Sequence, residues 1–184
     1  MEQASESAAI GQVLLTGDEI SSILHKLAGQ ISKTYVDSQK VIVIVLLSGA
    51  KIFAGNLFAL INDDKFQIHY VTASSYKNGC KSCGVLELTG LDGISVKYKD
   101  VLIVDDIYDS GLTMRGIFNL LEPQNPCSIR TCILLVKQVE RSDTIDIDFW
   151  GAAIDDCFAV GYGLDYNGQY RELPFIASLK VSAN

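Results

Sequence analysis

The chain has 184 residues, 48% hydrophobic and 20% charged, an ordinary globular composition that excludes wholesale disorder and suggests one domain with room for a small appended unit. Its 15 Lys and Arg stand against 22 Asp and Glu, a net charge of −7, which argues against an electrostatic grip on DNA or RNA because such domains carry a basic face. At first sight the same balance also argues against a strongly anionic ligand. The N-terminus, Met1 to Glu6, has neither the basic start nor the apolar core of a secretory signal. The longest uncharged apolar stretch, Val41 to Ala50, is about half the ~20 residues a membrane-spanning helix needs, so no membrane contact is expected. Five cysteines, an odd count, are expected as reduced thiols in a cytoplasmic protein.

In chain order, a polar start to about Ile10 leads into a helix with Ile20, Ile23, Leu24, Leu27 and Ile31 on one face. Thr16 followed by Glu19 forms a capping box to open it. Val41 to Leu47 is a continuous aliphatic run, the pattern of a strand buried on both faces. A helix with Phe53, Leu57, Phe58 and Ile61 inward follows it. Phe66 to Thr72 alternates as a strand does, whereas residues 74–84 are polar and glycine-containing and predict a long mobile loop. Val85 to Leu88 then reads as a short strand, Val101 to Val104 as a buried one, and about Thr113 to Leu121 as a helix that stops before Pro123. Ile129 to Val136 is a further strand. Strands alternating with helices predict an α/β fold with a mainly parallel sheet and helices on both faces.

The segment Val101 to Met114 carries the chemistry. An apolar strand runs into Asp105 and Asp106, and Asp109, Ser110, Gly111, Leu112 and Thr113 then form a turn that opens a helix. In an open α/β sheet, ligands bind beyond the carboxyl ends of the strands, where these groups belong. Free N–H groups at a helix start suit a phosphate, the Ser110 and Thr113 hydroxyls add donors, and the two Asp carboxylates suit a vicinal diol such as ribose. Acids are also enriched at helix starts as simple caps. A P-loop would require a Gly-Lys-Ser/Thr ending that is absent, and a phospho-acceptor receiver domain lacks the Ser-Gly-Leu-Thr turn.

The string resembles the phosphoribosyl-pyrophosphate motif of type I phosphoribosyltransferases, a Rossmann-like α/β family. From about Val13 to Lys180 the chain is similar to its hypoxanthine-guanine branch. Ser74-Ser75-Tyr76 matches the start of a flexible catalytic loop, Leu134 to Lys137 a purine-recognition strand, and Phe158 to Tyr166 with Tyr170-Arg171 a C-terminal signature. The resemblance implies a core over about 37–150 with a small hood subdomain from about 1–36 and 151–184. It further implies transfer of a phosphoribosyl group from 5-phosphoribosyl 1-diphosphate to hypoxanthine or guanine, with Mg2+, by a homodimer or homotetramer.

By the same resemblance, Asp109 acts as general base or hydrogen-bond partner at purine N7 and, with Ser110 to Thr113, cradles the 5′-phosphate. Asp105 and Asp106 hold the ribose hydroxyls and, with Asp165, are the candidate metal ligands. Lys137 donates to the purine O6, Phe158 stacks on the ring, and the backbone near Ala159 and Asp165 reads the 2-position. Arg171 contacts pyrophosphate, and Ser75 and Tyr76 belong to the closing loop. One departure stands out: Ser48, with Gly49, occupies a pyrophosphate-binding loop whose middle residue is usually Lys. Cys80 and Cys83 form a Cys-x-x-Cys in the expected loop, where a zinc site would need two further ligands. Alternatives are a xanthine-preferring relative and a non-catalytic regulator of the same fold that binds the diphosphate sugar, which would need a basic nucleic-acid face that a chain of net charge −7 fits poorly.

Overall fold

A computed structural model describes residues 7–76, 85–91, 93–141 and 145–182. In chain order the elements are β1 (Ser7–Leu15), α1 (Gly17–Thr34), β2 (Val41–Leu47), α2 (Ala50–Ile61), β3 (Phe66–Tyr76), β4 (Val85–Thr89), β5 (Asp100–Tyr108), α3 (Leu112–Leu121), β6 (Ser128–Lys137), β7 (Phe149–Ile154), β8 (Ala159–Val160) and β9 (Ile176–Ser182). Six strands form one sheet in the order β4-β3-β2-β5-β6-β7, parallel except for β4, which runs antiparallel to β3 at the edge. The α/β class and the mainly parallel sheet are therefore as expected.

The central strands are buried on both faces because helices cover both. Val41, Val43 and Val45 of β2 and Leu102 and Val104 of β5 pack with Leu24, Leu27 and Ile31 of α1 and Phe53 and Leu57 of α2. The alternate residues, Ile42, Ile44, Val101 and Ile103, pack on Met114, Ile117 and Leu121 of α3. Period-2 alternation thus deals the aliphatic runs to two separate cores. At the start of α1 the Thr16 hydroxyl accepts from the Glu19 N–H at 3.3 Å while the Glu19 carboxylate accepts from the Thr16 N–H at 2.8 Å, the expected capping box.

A second sheet, in the order β1-β9-β8, joins the two ends of the chain. Ser7 to Ile10, within the stretch expected as a polar start, are the first part of β1, held by antiparallel pairing to β9. α1 shares the larger core with α2, and β7 continues the larger sheet to Ile154. Ser74 to Tyr76, expected as the start of the loop, are the last residues of β3, paired with Val85 to Glu87. Backbone pairing with a neighbouring strand overrides their polar composition. Cys80 and Cys83 lie outside the described residues.

Candidate active site

The strand order reverses between β2 and β5: from this pair the chain builds outward to β3 and β4 on one side and to β6 and β7 on the other. At such a switch point the loops after the two strands diverge and leave a crevice at their carboxyl ends. A cleft of about 340 Å³ opens there, lined by Ser48, Gly49, Asp105, Asp106, Asp109, Lys137, Phe158, Ala159 and Asp165. An adjoining hollow of about 290 Å³ shares the three aspartates and adds Ser110, Gly111 and Thr113. Most of the side chains singled out in the sequence, drawn from five separate segments, thus meet in one place.

The turn after β5 suits an anion. Gly111, the N-cap of α3, has φ of 81°, a left-handed conformation that glycine adopts without strain, and brings no capping side chain of its own, while the Ser110 Oγ accepts from the Leu112 N–H at 3.4 Å. The helix start lies beside the hollow, which Ser110, Gly111 and Thr113 line with two hydroxyls and backbone donors. The Leu112 side chain is 73% exposed and outside the lining of both hollows. Only its backbone can serve a ligand there.

Gly49 and Gly163 bring backbone close to the acids. A Cβ on Gly49 would lie 1.5 Å from Oδ2 of Asp106, and one on Gly163 would lie 2.3 Å from the Gly49 carbonyl oxygen. Burial, with repulsion from Asp106 next, pushes the Asp105 carboxyl well above the usual carboxylate range. Burial also raises Asp106, against hydrogen bonds from the Asp105 carboxyl and from backbone N–H groups and the field of Arg171. An acid raised in the fold stabilises the protein below its unfolded value, and that stability is lost as pH rises through the folded value. Asp105→Asn is therefore expected to melt at a higher temperature than wild type near about pH 8, with the gain shrinking toward about pH 5. Melting curves across that range check it; a gain that does not vary with pH would count against charge burial as the cause.

At the far end of the cleft, Nζ of Lys137 lies 3.0 Å from Asp109 and 3.1 Å from Asp156. Burial alone would lower its pKa, but the two carboxylates outweigh it and hold the ammonium charged. Phe158 is 48% exposed over the cleft and meets Tyr166 edge-to-face at 5.4 Å. Arg171, expected toward pyrophosphate, is absent from the cleft lining and is engaged by Asp165 at 2.6 Å and by the Gly163 carbonyl at 2.7 Å. Ser75 and Tyr76 close β3, one strand over from β2, and Ala73 of that strand lines the phosphate hollow.

Sequence reasoning missed Asp156, Cys157 and Arg141. Asp156 and Cys157 directly precede Phe158, so the C-terminal signature extended by two residues would have found them. Arg141 gave no signal, because its partners are backbone carbonyls.

Asp105, Asp106 and Asp165 offer hard oxygen donors that fit Mg2+. Among the described residues no group of three or more His, Cys, Asp or Glu side chains is placed to hold a metal ion by itself. Among the described residues no helix is long and apolar enough to cross a membrane.

Residues 13–167 match the family model of the phosphoribosyl transferase domain. The hypoxanthine-guanine phosphoribosyltransferase of Dictyostelium discoideum is 34% identical over 92% of this chain and 95% of its own. That of Staphylococcus aureus is 36% identical over 92% of this chain and 93% of its own. A crystal structure of a hypoxanthine-guanine phosphoribosyltransferase from Bacillus anthracis superposes with a TM-score of 0.84 at 32% identity, covering 95% of this chain and 100% of that one. The chain is a phosphoribosyltransferase by family. Within that family it belongs with the hypoxanthine-guanine phosphoribosyltransferases.

Proposed function

We propose that the protein is a purine salvage enzyme that moves the 5-phosphoribosyl group from 5-phosphoribosyl 1-diphosphate to N9 of hypoxanthine or guanine, giving IMP or GMP and pyrophosphate. The observation that carries this reading is the linear order of chemistries along the cleft. An aromatic face and a charged ammonium stand at one end, paired carboxylates in the middle, and a helix start with hydroxyls at the other. Base, ribose and 5′-phosphate follow one another in the same order.

Lys137 donates to the purine O6 and so selects 6-oxopurines. Facing adenine, the same donor would meet an amino group and stay unpaired, a loss that yields large discrimination. Phe158 stacks on the ring, and the backbone at Ala159 and Asp165 meets the 2-position. Asp109 takes the N7 proton as N9 forms its bond to the anomeric carbon. Asp105 and Asp106 accept from the ribose hydroxyls, and Ser110 to Thr113 hold the 5′-phosphate. Mg2+, held by Asp105, Asp106 or Asp165, supplies positive charge for the departing pyrophosphate when bound. Arg171, once it exchanges Asp165 for the donor, adds to that charge. The segment around Ser75 and Tyr76 serves to exclude water from the cationic ribosyl centre. The terminal sheet of β1, β8 and β9 forms the hood, since Ala159 of β8 stands at the purine end. The family is commonly dimeric or tetrameric, and the same is proposed here, in the cytoplasm.

Supplying hypoxanthine, guanine, xanthine and adenine separately with the donor and Mg2+, and measuring nucleotide formed, tests the reading. Product with the first two is expected. Product with xanthine alone would transfer the assignment to the xanthine-preferring branch, and no product with any base would refute the enzyme.

Ser48 is exposed in the lining of the cleft, where it brings a hydroxyl and no charge to the loop assigned to pyrophosphate. Ser48→Lys is expected to lower the apparent KM for the diphosphate donor roughly 10- to 100-fold, since a charge-assisted contact adds about 1.5–3 kcal/mol when well placed. Initial rates against donor concentration measure it, and an unchanged KM would remove Ser48 from the pyrophosphate site.

A further inference from the structure

Where the β5–β6 ladder stops, at the pairing of Tyr108 with Val136, both strands run on into the groups assigned to the base: Asp109 and Lys137. Strand ends leave carbonyls that the sheet no longer satisfies. Arg141, four residues past Lys137, fills that gap. Its Nε donates to the Asp109 carbonyl, and its Nη2 donates to the carbonyls of Tyr108, at 3.1 Å, and Lys137. Nη1 donates to the Val139 carbonyl at 3.3 Å. The guanidinium also stands 4.5 Å from the centre of the Tyr108 ring, whose hydroxyl oxygen accepts from the Ile145 N–H at 3.1 Å. One side chain therefore ties the end of β5 to the end of β6 and lies against the ring of the residue before Asp109.

We propose that Arg141 is a positioning residue for the transfer step: by holding the carbonyls of Tyr108, Asp109 and Lys137 together, it sets the orientation of the Asp109 carboxylate against the Lys137 ammonium. The inference rests on the roles given above to Asp109 and Lys137. A planar fork with five fixed N–H donors can serve four carbonyls at once while stacking on a ring. A lysine ammonium has three donors, no plane to stack, and a flexible stem, so it restores charge without restoring geometry.

The test compares wild type, Arg141→Lys, Asp109→Asn and the double variant, with hypoxanthine, donor and Mg2+. Arg141→Lys is expected to lower kcat roughly 10- to 100-fold, the scale of a misplacement of about 1 Å in a reacting group. In the Asp109→Asn background it is expected to cost less than about threefold, because the group it positions has already lost its function. Equal losses in both backgrounds would mean a general structural role and would overturn the proposal. As a control on folding, Arg141→Ala is assayed with added guanidinium ion at concentrations that leave wild type unaffected. Positioning predicts partial rescue, whereas a destabilised fold would be weakened further by a denaturant. Absence of rescue overturns the proposal as well. Wild type that forms no nucleotide with any base would refute the functional reading itself, and this inference would fall with it.

Discussion

Asp109→Asn is expected to lower kcat by about 10²–10⁴-fold, the usual contribution of a positioned general base, while donor binding changes little. Asn keeps the shape of the side chain and can still accept a hydrogen bond, but it cannot take the N7 proton. The carboxylate is well placed for that work: its side chain is 54% exposed at the cleft, and one oxygen lies 3.0 Å from the Lys137 ammonium. Lys137 keeps its second carboxylate, Asp156, in the variant, so its charge and place survive. The loss should therefore fall on kcat rather than on the KM for either substrate, as for an interaction made mainly in the transition state. Steady-state kinetics in both substrates, with single-turnover rates to isolate chemistry, measure it. A kcat within about threefold of wild type would exclude proton transfer to Asp109 from the rate-limiting step.

Gly49→Ala is expected to weaken donor binding at least about 100-fold, the second large effect, although the change is one methyl group. Gly49 has an ordinary helical φ of −65°, so no backbone preference demands glycine there. Space does: the new Cβ would fall 1.5 Å from Oδ2 and 2.7 Å from Cγ of Asp106. Retreat is blocked on the other side by Gly163, itself at φ of 103°, whose α-carbon stands so near that its own Cβ would meet the Gly49 carbonyl at 2.3 Å. Asp106 must then leave its place in the cleft, where it is proposed to meet the ribose, or the loop carrying Ser48 must move. Overpacking of this kind costs about 1–3 kcal/mol of stability, less than most folds possess, so the variant should fold. Calorimetric titration with the donor and Mg2+, alongside a melting curve, separates the two effects. Donor affinity equal to wild type would show that the Gly49–Asp106 contact does not form the donor site.

The opposition between a chain of net charge −7 and an anionic substrate disappears at the scale of the site. The end of the cleft proposed for the phosphate carries backbone N–H groups and hydroxyls, and the acids beside it are the groups proposed for the ribose and the metal. Net charge describes the whole surface, whereas binding depends on a few oriented dipoles and ions within a Debye length of about 8 Å.

The strands β2, β5 and β6 and the helices α1, α2 and α3 were legible because a buried parallel strand and an amphipathic helix each leave a local pattern in their residues. The motif from Asp105 to Thr113 was legible for a related reason: strand, turn and helix start are consecutive, so the chemistry they carry is consecutive too. β7, β8 and β9 were missed. β7 is an edge strand with Trp150 46% exposed, and β8 is only two residues long, held by pairing with β9. Strands of that kind exist through partners distant in the chain, which no local window contains.

By itself, the sequence determined the α/β class, the two aliphatic faces of the sheet and the acid-rich turn from Asp105 to Thr113, because these follow from residue type and short-range period, whereas Ser48, Lys137, Phe158 and Asp165 were named only through resemblance to a family. Only the tertiary structure decided who meets whom. It brought Lys137 between Asp109 and Asp156, set Gly49 and Gly163 against Asp106, engaged Arg171 with Asp165, and turned Arg141 onto the carbonyls of both strand ends. Such contacts join residues up to 114 positions apart, as between Gly49 and Gly163. Their geometry is fixed by how the sheet twists and where its order reverses, which a linear pattern does not encode.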